Sequence, residues 1–187
     1  MPGQLVETVD EHGVTTGSSR VDRAHETPGV WHRAYSVVVV GPDGQALLQR
    51  RSGVKARFGG VWANTCCGHV RPGVPLLDQA RTRVREELGL LLATELVEVG
   101  VFRYEAHDPS TGLVTGSTAG IVERELDHVL LARVPLTGDA LGLHPDPAEV
   151  QDVAWVRLDD EPAWPQPLAP WTPAVLRIAR EALATGR

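Results

Sequence analysis

The sequence predicts a single mixed α/β domain, and three observations carry that expectation. Runs of β-branched or alternating apolar residues recur along the chain and outnumber the helical patterns. The segments with helical spacing lie among those runs and are not gathered at one end. No repeat, low-complexity tract or linker divides the 187 residues, of which 42% are hydrophobic and 22% charged, so the chain suits one sizeable core. One domain is therefore expected over 1–187, with residues 1–30 as an N-terminal arm.

Taken in order, "AYSVVVV" is a β-branched run, "GPDG" a turn and "QALLQRR" a second run, which together predict a hairpin over about 34–51. "GVKARFGG" follows as a basic, glycine-containing loop, and "VWANTCCGHV" returns as a strand or extended segment. "LLDQARTRVREELGL" has apolar residues at 77, 80, 84 and 88, the spacing of one helical face, with Pro75 near its start and Gly89 at its end. Segments 94–104 and 121–134 predict strands, joined through the Gly/Ser/Thr-rich loop "DPSTGLVTGSTAG". "VQDVAWVRLDD" is a further strand, and "TPAVLRIAREALATG" a C-terminal helix after a proline-rich stretch.

Composition excludes several function classes. A net charge of −6 gives no electrostatic footprint for a nucleic-acid partner. No run of about 18 apolar residues is present, and "MPGQLVETVDEHG" lacks the basic and apolar regions of a signal peptide, so no membrane partner and a cytoplasmic location are expected. Both cysteines, Cys66 and Cys67, stand side by side. Neighbours of that kind do not readily bridge each other, so no disulfide framework is expected, and without a CxxC pair neither is a zinc knuckle. For an isolated cysteine, packing as a small buried side chain is the ordinary reading. Lys55 is the sole lysine among 18 basic residues.

On the first helix Arg83 and Glu87 are four residues apart and share a face, as in an ordinary ion pair. Gly73 followed by a helix ending "REELGL" is also the skeleton of a Nudix box, in degenerate form: Gln79, Thr82 and Arg83 replace its other conserved positions, and only Glu86 and Glu87 remain of its acidic set. Two carboxylates are few for a pyrophosphohydrolase, which must hold metals and activate water. With "HRAYSVVVV", "QRRSGVKARFGGVWANTCCGH", "RVREELG", "FRYEAHDPS" and "GIVERELDHV" in this order, the chain resembles type I isopentenyl diphosphate isomerase from about Arg20 to about Trp171. The resemblance implies a Nudix-type mixed β-sheet sandwiched by helices.

It also implies a function: shifting the double bond of isopentenyl diphosphate to give dimethylallyl diphosphate. A proton is added to the terminal methylene and another is removed beside the diphosphate-bearing carbon, through a carbocation-like species. That chemistry needs an acid and a base on opposite sides of the carbon chain and a site that excludes water. On the family's pattern these groups are Cys67 and Glu125, with Tyr104 steadying the glutamate acid and Gly68 allowing close approach; Cys66 keeps the packing reading. Glu123 and Glu125 alternate along a strand and so share a face. With His25, His32 and His69 they are the implied ligands of one zinc or manganese ion. Magnesium is implied at Glu87 and the main-chain carbonyl of Cys67. Arg51, Lys55 and Arg83 are implied for the diphosphate, while Arg50 and Arg57 are read as solvated surface charge, and His12, His107, His128 and His144 as ordinary residues.

Three departures from the family qualify the substrate. Val21 stands where a lysine is usual, flanked by Arg20 and Arg23, either of which could substitute. The loop 109–120 is long and either covers the site or is a surface insertion. Gln166 stands where a tryptophan usually faces the cation, and Trp164 lies two residues earlier. If Trp164 supplies the ring, the five-carbon reaction is retained. If Gln166 faces the cation, a methylated or longer prenyl diphosphate, or even cyclisation, becomes plausible. A Nudix hydrolase and a prenyl-diphosphate or metal-binding module are the other readings, and the module would not need Cys67. The expected assembly is a monomer or weak homodimer.

Overall fold

Residues 5–20 form an antiparallel hairpin, β1 (Leu5–Val9) and β2 (Thr15–Arg20), which leads into one helical stretch, α1 (Val21–His25). Within the arm expected over 1–30, the described residues from Leu5 to His25 are thus folded, and the hairpin is tied to the rest where Thr8 pairs with His32. Strands β3 (His32–Val40), β4 (Gln45–Arg51), β5 (Trp62–Ala63) and β6 (Cys66–His69) follow, then helix α2 (Leu76–Leu88). Two long strands, β7 (Leu96–His107) and β8 (Val122–Arg133), precede β9 (Val150–Arg157) and helix α3 (Thr172–Ala184). These elements come from a computed structural model, which describes residues 3–108 and 120–186; most of the long loop read over 109–120 lies outside the described residues.

Strand β3 organises the sheet. It pairs antiparallel with β6 along one edge and parallel with β8 along the other, and β8 pairs antiparallel with β7. A strand covered on both faces reads as an unbroken apolar run and does not alternate. Val37 and Val39 therefore pack in one core with Ala80, Val84 and Leu88 of α2, while Val38 and Val40 pack in another with Val175, Leu176 and Ala179 of α3. The helices sandwich the sheet, as the resemblance implied.

Two expectations change in detail. The predicted hairpin over 34–51 exists as a turn but not as a ladder, since β3 and β4 share only the pair Val40 and Ala46. Both edges of β3 are taken by β6 and β8, so β4 diverges to pair with β5 and β9. On α2, Leu77 is exposed while Gln79 and Glu87 are buried, which turns a carboxylate inward. Gly89 ends that helix in the left-handed region, at φ 67°, where glycine carries no Cβ penalty.

Candidate active site

The register around β3 assembles residues remote in sequence. His32 is opposite Glu125 of β8, Ala34 opposite His69 of β6, and Ser36 opposite Cys67. Partners in a ladder point to the same face, and successive residues along a strand point to opposite faces. Cys66 thus enters the core under α2 with no exposure, whereas Cys67 faces the α3 side and lines a cavity of about 880 Å³. Asn64 and Thr65 fix this stretch. Thr65 Oγ1 donates to the Leu47 carbonyl (2.5 Å) and accepts from Val39 N–H (2.8 Å), and Asn64 Nδ2 donates to the carbonyls of Val37 and Cys66. Gly68 is required by packing, because a Cβ there would collide with the Tyr35 hydroxyl.

His25, His32, His69, Glu123 and Glu125 offer five ligand atoms that all lie within 4.8 Å of one another. His25 arrives from α1 and the other four from β3, β6 and β8. The Nδ1 of His25 is 2.6 Å from the Val21 carbonyl and that of His32 is 2.7 Å from the Val30 carbonyl. Those carbonyls accept hydrogen bonds from Nδ1–H and leave the Nε2 lone pairs facing inward, the arrangement that orients metal-ligating histidines. His25 Nε2, His32 Nε2 and Glu123 Oε2 are consequently buried without a hydrogen-bond partner. His25 Nε2 and Glu123 Oε2 are two acceptors only 2.7 Å apart, a contact that a cation between them satisfies. Burial pushes the His69 pKa down to about 4 against the pull of Glu125, which keeps it in the neutral form that binds metals. The group fits a divalent ion of the zinc or manganese type.

Beside this cluster, Tyr104 Oη donates to Glu125 Oε2 at 2.5 Å. Burial works against charge on Glu125, but the imidazoles of His32 and His69 outweigh it and hold the carboxyl well below its usual range. Tyr104 thus holds one oxygen of the Glu125 carboxyl group in place within the cavity. Across β3, burial and then the nearby Asp127 push the Cys67 thiol up to about 12, with Arg51 and the Ser36 hydroxyl opposing. Cys67 Sγ donates to Asn64 Oδ1 at 3.3 Å, and Ser36 Oγ, 3.7 Å from the sulfur, donates to Asp127 Oδ2 at 2.7 Å. Asp127 was not singled out from the sequence. It continues the alternation of Glu123 and Glu125 along β8, which was the signal for it.

At the other end of the cavity, Glu87 is fully buried at the last turn of α2. Its Oε2 accepts from Gln49 (2.9 Å), and its Oε1 lies 3.1 Å from Lys55 Nζ and 2.7 Å from Arg83. Glu149 joins the same cluster, with its Oε2 2.5 Å from Lys55 and 2.8 Å from Arg83. It precedes β9 in "PDPAEV", and nothing in the spacing marked it. Arg51 donates from Nε to the Phe58 carbonyl and from its terminal nitrogen to the Arg57 carbonyl, and its Cζ sits 5.8 Å over the Trp171 ring. Lys55, Arg51 and Arg83 thus line the same cavity, and Glu87 lies buried behind Lys55 and Arg83.

Five sequence readings require correction. Trp164 is packed in the core beneath α3, where its Nε1 donates to the Arg157 carbonyl (2.8 Å), and Gln166 is exposed on the surface; neither lines the cavity. The aromatic wall is Trp171, the tryptophan of "APW", 5.6 Å from the Tyr104 ring and 5.2 Å from Phe58. Arg20 pairs with Asp22 and Arg23 with Glu26, both at the surface, so Val21 alone of that trio reaches the cavity. Arg57, read as surface charge, lines the cavity and contacts Glu123.

Known proteins resemble this chain in sequence and in fold. The NUDIX domain family matches residues 30–177. The isopentenyl-diphosphate Delta-isomerase of Nocardia farcinica is 46% identical over 178 residues, 93% of each chain. That of Streptomyces griseus is 38% identical over 181 residues, 96% of this chain and 85% of the other. Among solved structures, DR0079 from Deinococcus radiodurans superposes with a TM-score of 0.66 at 19% identity, covering 94% of this chain and 99% of that one, a likeness of fold. A MutT NUDIX hydrolase from Burkholderia pseudomallei superposes at 0.57 with 24% identity, over 79% and 96% of the two chains. With a NUDIX domain across most of its length and near end-to-end similarity to such relatives, the chain belongs to the isopentenyl-diphosphate Delta-isomerase family.

Proposed function

We propose that the protein interconverts isopentenyl diphosphate and dimethylallyl diphosphate, with Cys67 and the Tyr104–Glu125 pair as the two proton-transfer groups. The observation that carries this reading is their placement. The sulfur and the carboxylate project into one cavity from strands on opposite edges of β3, so a short carbon chain lying between them meets one group on each side. In this reading the direction of each group's shift sets its role. Cys67 holds a proton and acts as donor to the alkene carbon; Glu125, ionised, accepts the proton released from the carbon on the other side. One C–H bond forms and one breaks, and the double bond moves between them. In the reverse direction the roles exchange.

His25, His32, His69, Glu123 and Glu125 would hold a zinc or manganese ion, whose charge supports the ionised form of Glu125 when bound. Glu87, with the Cys67 carbonyl, would hold magnesium accompanying the diphosphate, and Lys55, Arg83 and Arg51 bind the phosphate oxygens. Trp171 and Tyr104 form the apolar, electron-rich wall beside the developing cation and help to exclude water.

Proton NMR of the protein with isopentenyl diphosphate in heavy water tests the reading. Deuterium entering the methyl group, with the diphosphate intact, is the expected outcome. Release of phosphate or pyrophosphate would point to hydrolysis, and no change at all to a binding module.

A further inference from the structure

The loop 52–60 carries two cations into the cavity, Lys55 and Arg57, and only Lys55 has a place in the reading above. Arg57 Nε donates to Glu123 Oε1 at 3.1 Å, while Glu123 Oε2 faces His25. Its terminal nitrogens have no hydrogen-bond partner among the described residues, and its side chain remains 24% exposed on the cavity wall. The other cations are less free. Lys55 and Arg83 share Glu87 and Glu149, a cluster of two positive and two negative charges, and Arg51 gives Nε and one terminal nitrogen to backbone carbonyls.

The pairing of Arg57 with Glu123 changes meaning once the metal centre is filled. A divalent ion bound by three neutral imidazoles is balanced by the two carboxylates Glu123 and Glu125, so their charge is then committed to the metal. Arg57, still hydrogen-bonded to Oε1 through Nε, would then carry uncompensated positive charge on the cavity wall. We propose that Arg57 is a further diphosphate-binding residue, anchored through Nε on the metal ligand Glu123, and that metal loading makes its charge available to the anion. A guanidinium held at one nitrogen is pre-organised for planar contact with phosphate oxygens, which a lysine ammonium at the same place does not reproduce.

The inference rests on the diphosphate and metal readings above, so its test must separate the three. Magnesium pyrophosphate is titrated calorimetrically into manganese-loaded wild type, Arg57→Ala and Arg57→Lys, with Lys55→Ala as a control, and manganese content is measured for each preparation. The expected result is one manganese retained in every protein, with pyrophosphate affinity lowered about tenfold to a hundredfold in Arg57→Ala, the range of a lost hydrogen bond to a charged group. Arg57→Lys should recover only part of that loss. Equal affinity in wild type and Arg57→Ala overturns the proposal, while weakening by Lys55→Ala in the same series shows that the diphosphate reading stands. Loss of manganese from Arg57→Ala, with affinity restored at saturating manganese, also overturns it and leaves Arg57 as a support for Glu123 alone. Wild type that binds no manganese, or no pyrophosphate, refutes the underlying readings instead.

Discussion

Replacing Trp171 by leucine removes an indole from the cavity wall while leaving an apolar side chain behind. Trp171 is 5% exposed, lies against Tyr104 and Phe58 and lines the cavity with Cys67 and Glu125; in the proposed reaction it faces the cation. A desolvated cation facing an indole gains about 2 kcal/mol or more. The leucine variant should therefore lose about thirtyfold in kcat, by transition-state arithmetic. Trp171→Phe keeps a weaker quadrupole and should lose about fivefold or less. The leucine change also shortens a core residue, with a stability cost of about 2–4 kcal/mol that lowers Tm by about 4–16 °C. Rates are accordingly measured at 20 °C by NMR of the five-carbon product, alongside a thermal melt of each variant. Gln166→Trp and Trp164→Phe serve as controls and should leave kcat within about twofold, since neither side chain lines the cavity. A leucine variant with wild-type kcat, or a rate increase in Gln166→Trp, would refute the assignment of this wall.

Cys67→Ala should abolish turnover, whereas Cys66→Ala, a change within the core under α2, should retain most of it at a stability cost of about 1 kcal/mol; equal loss from two folded variants contradicts their assignment to opposite faces. Elemental analysis should find one tightly held zinc or manganese ion that survives dialysis and is lost in His25→Ala. If such an ion is present at about a thousand times its Kd, stripping it costs about 4 kcal/mol, a fall in Tm of about 8–16 °C, and an unchanged melt after chelation counts against the centre. Alkylation of Cys67 by iodoacetamide should be slow at pH 8, where a thiol pushed up to about 12 is ionised in roughly one molecule in 10⁴. Its rate should rise about tenfold per pH unit as far as pH 11, and a plateau below pH 9 would show that the sulfur is not held as a thiol.

Much of the site was legible because its chemistry is tied to short local patterns. "CCGH" and "ERE" carry their residues at alternating positions on strands, and alternation alone decides which of them share a face. The distinction between Cys66 and Cys67 came from the family's "CGH" pattern, and the register of β6 on β3 turns the two side chains to opposite faces. Other residues were hidden because their roles depend on long-range packing. Asp127 and Glu149 reach the site through β8 and the approach to β9, and Arg57 looks like any solvated arginine until its loop is folded against Glu123. The tryptophan wall was misplaced for a related reason. Sequence offsets within a proline-rich stretch do not say which ring turns inward, and the packing of Trp164 under α3 left that place to Trp171. The hairpin over 34–51 was half right because a turn is a local event, whereas the partner of each strand is not.

The parallel pairing of β3 with β8 has a consequence for synthesis of the chain. One edge of β3 can be covered by β6 soon after it emerges, but its other edge waits for a strand made about 90 residues later. At translation rates of about 5–20 residues per second, "SVVVV" stands with an open edge for about 5–20 s. A β-branched, uncharged run of this kind is the sort that templates aggregation. Yield in a fast-translating host should then depend on chaperone supply during that interval more than on the stability of the finished fold.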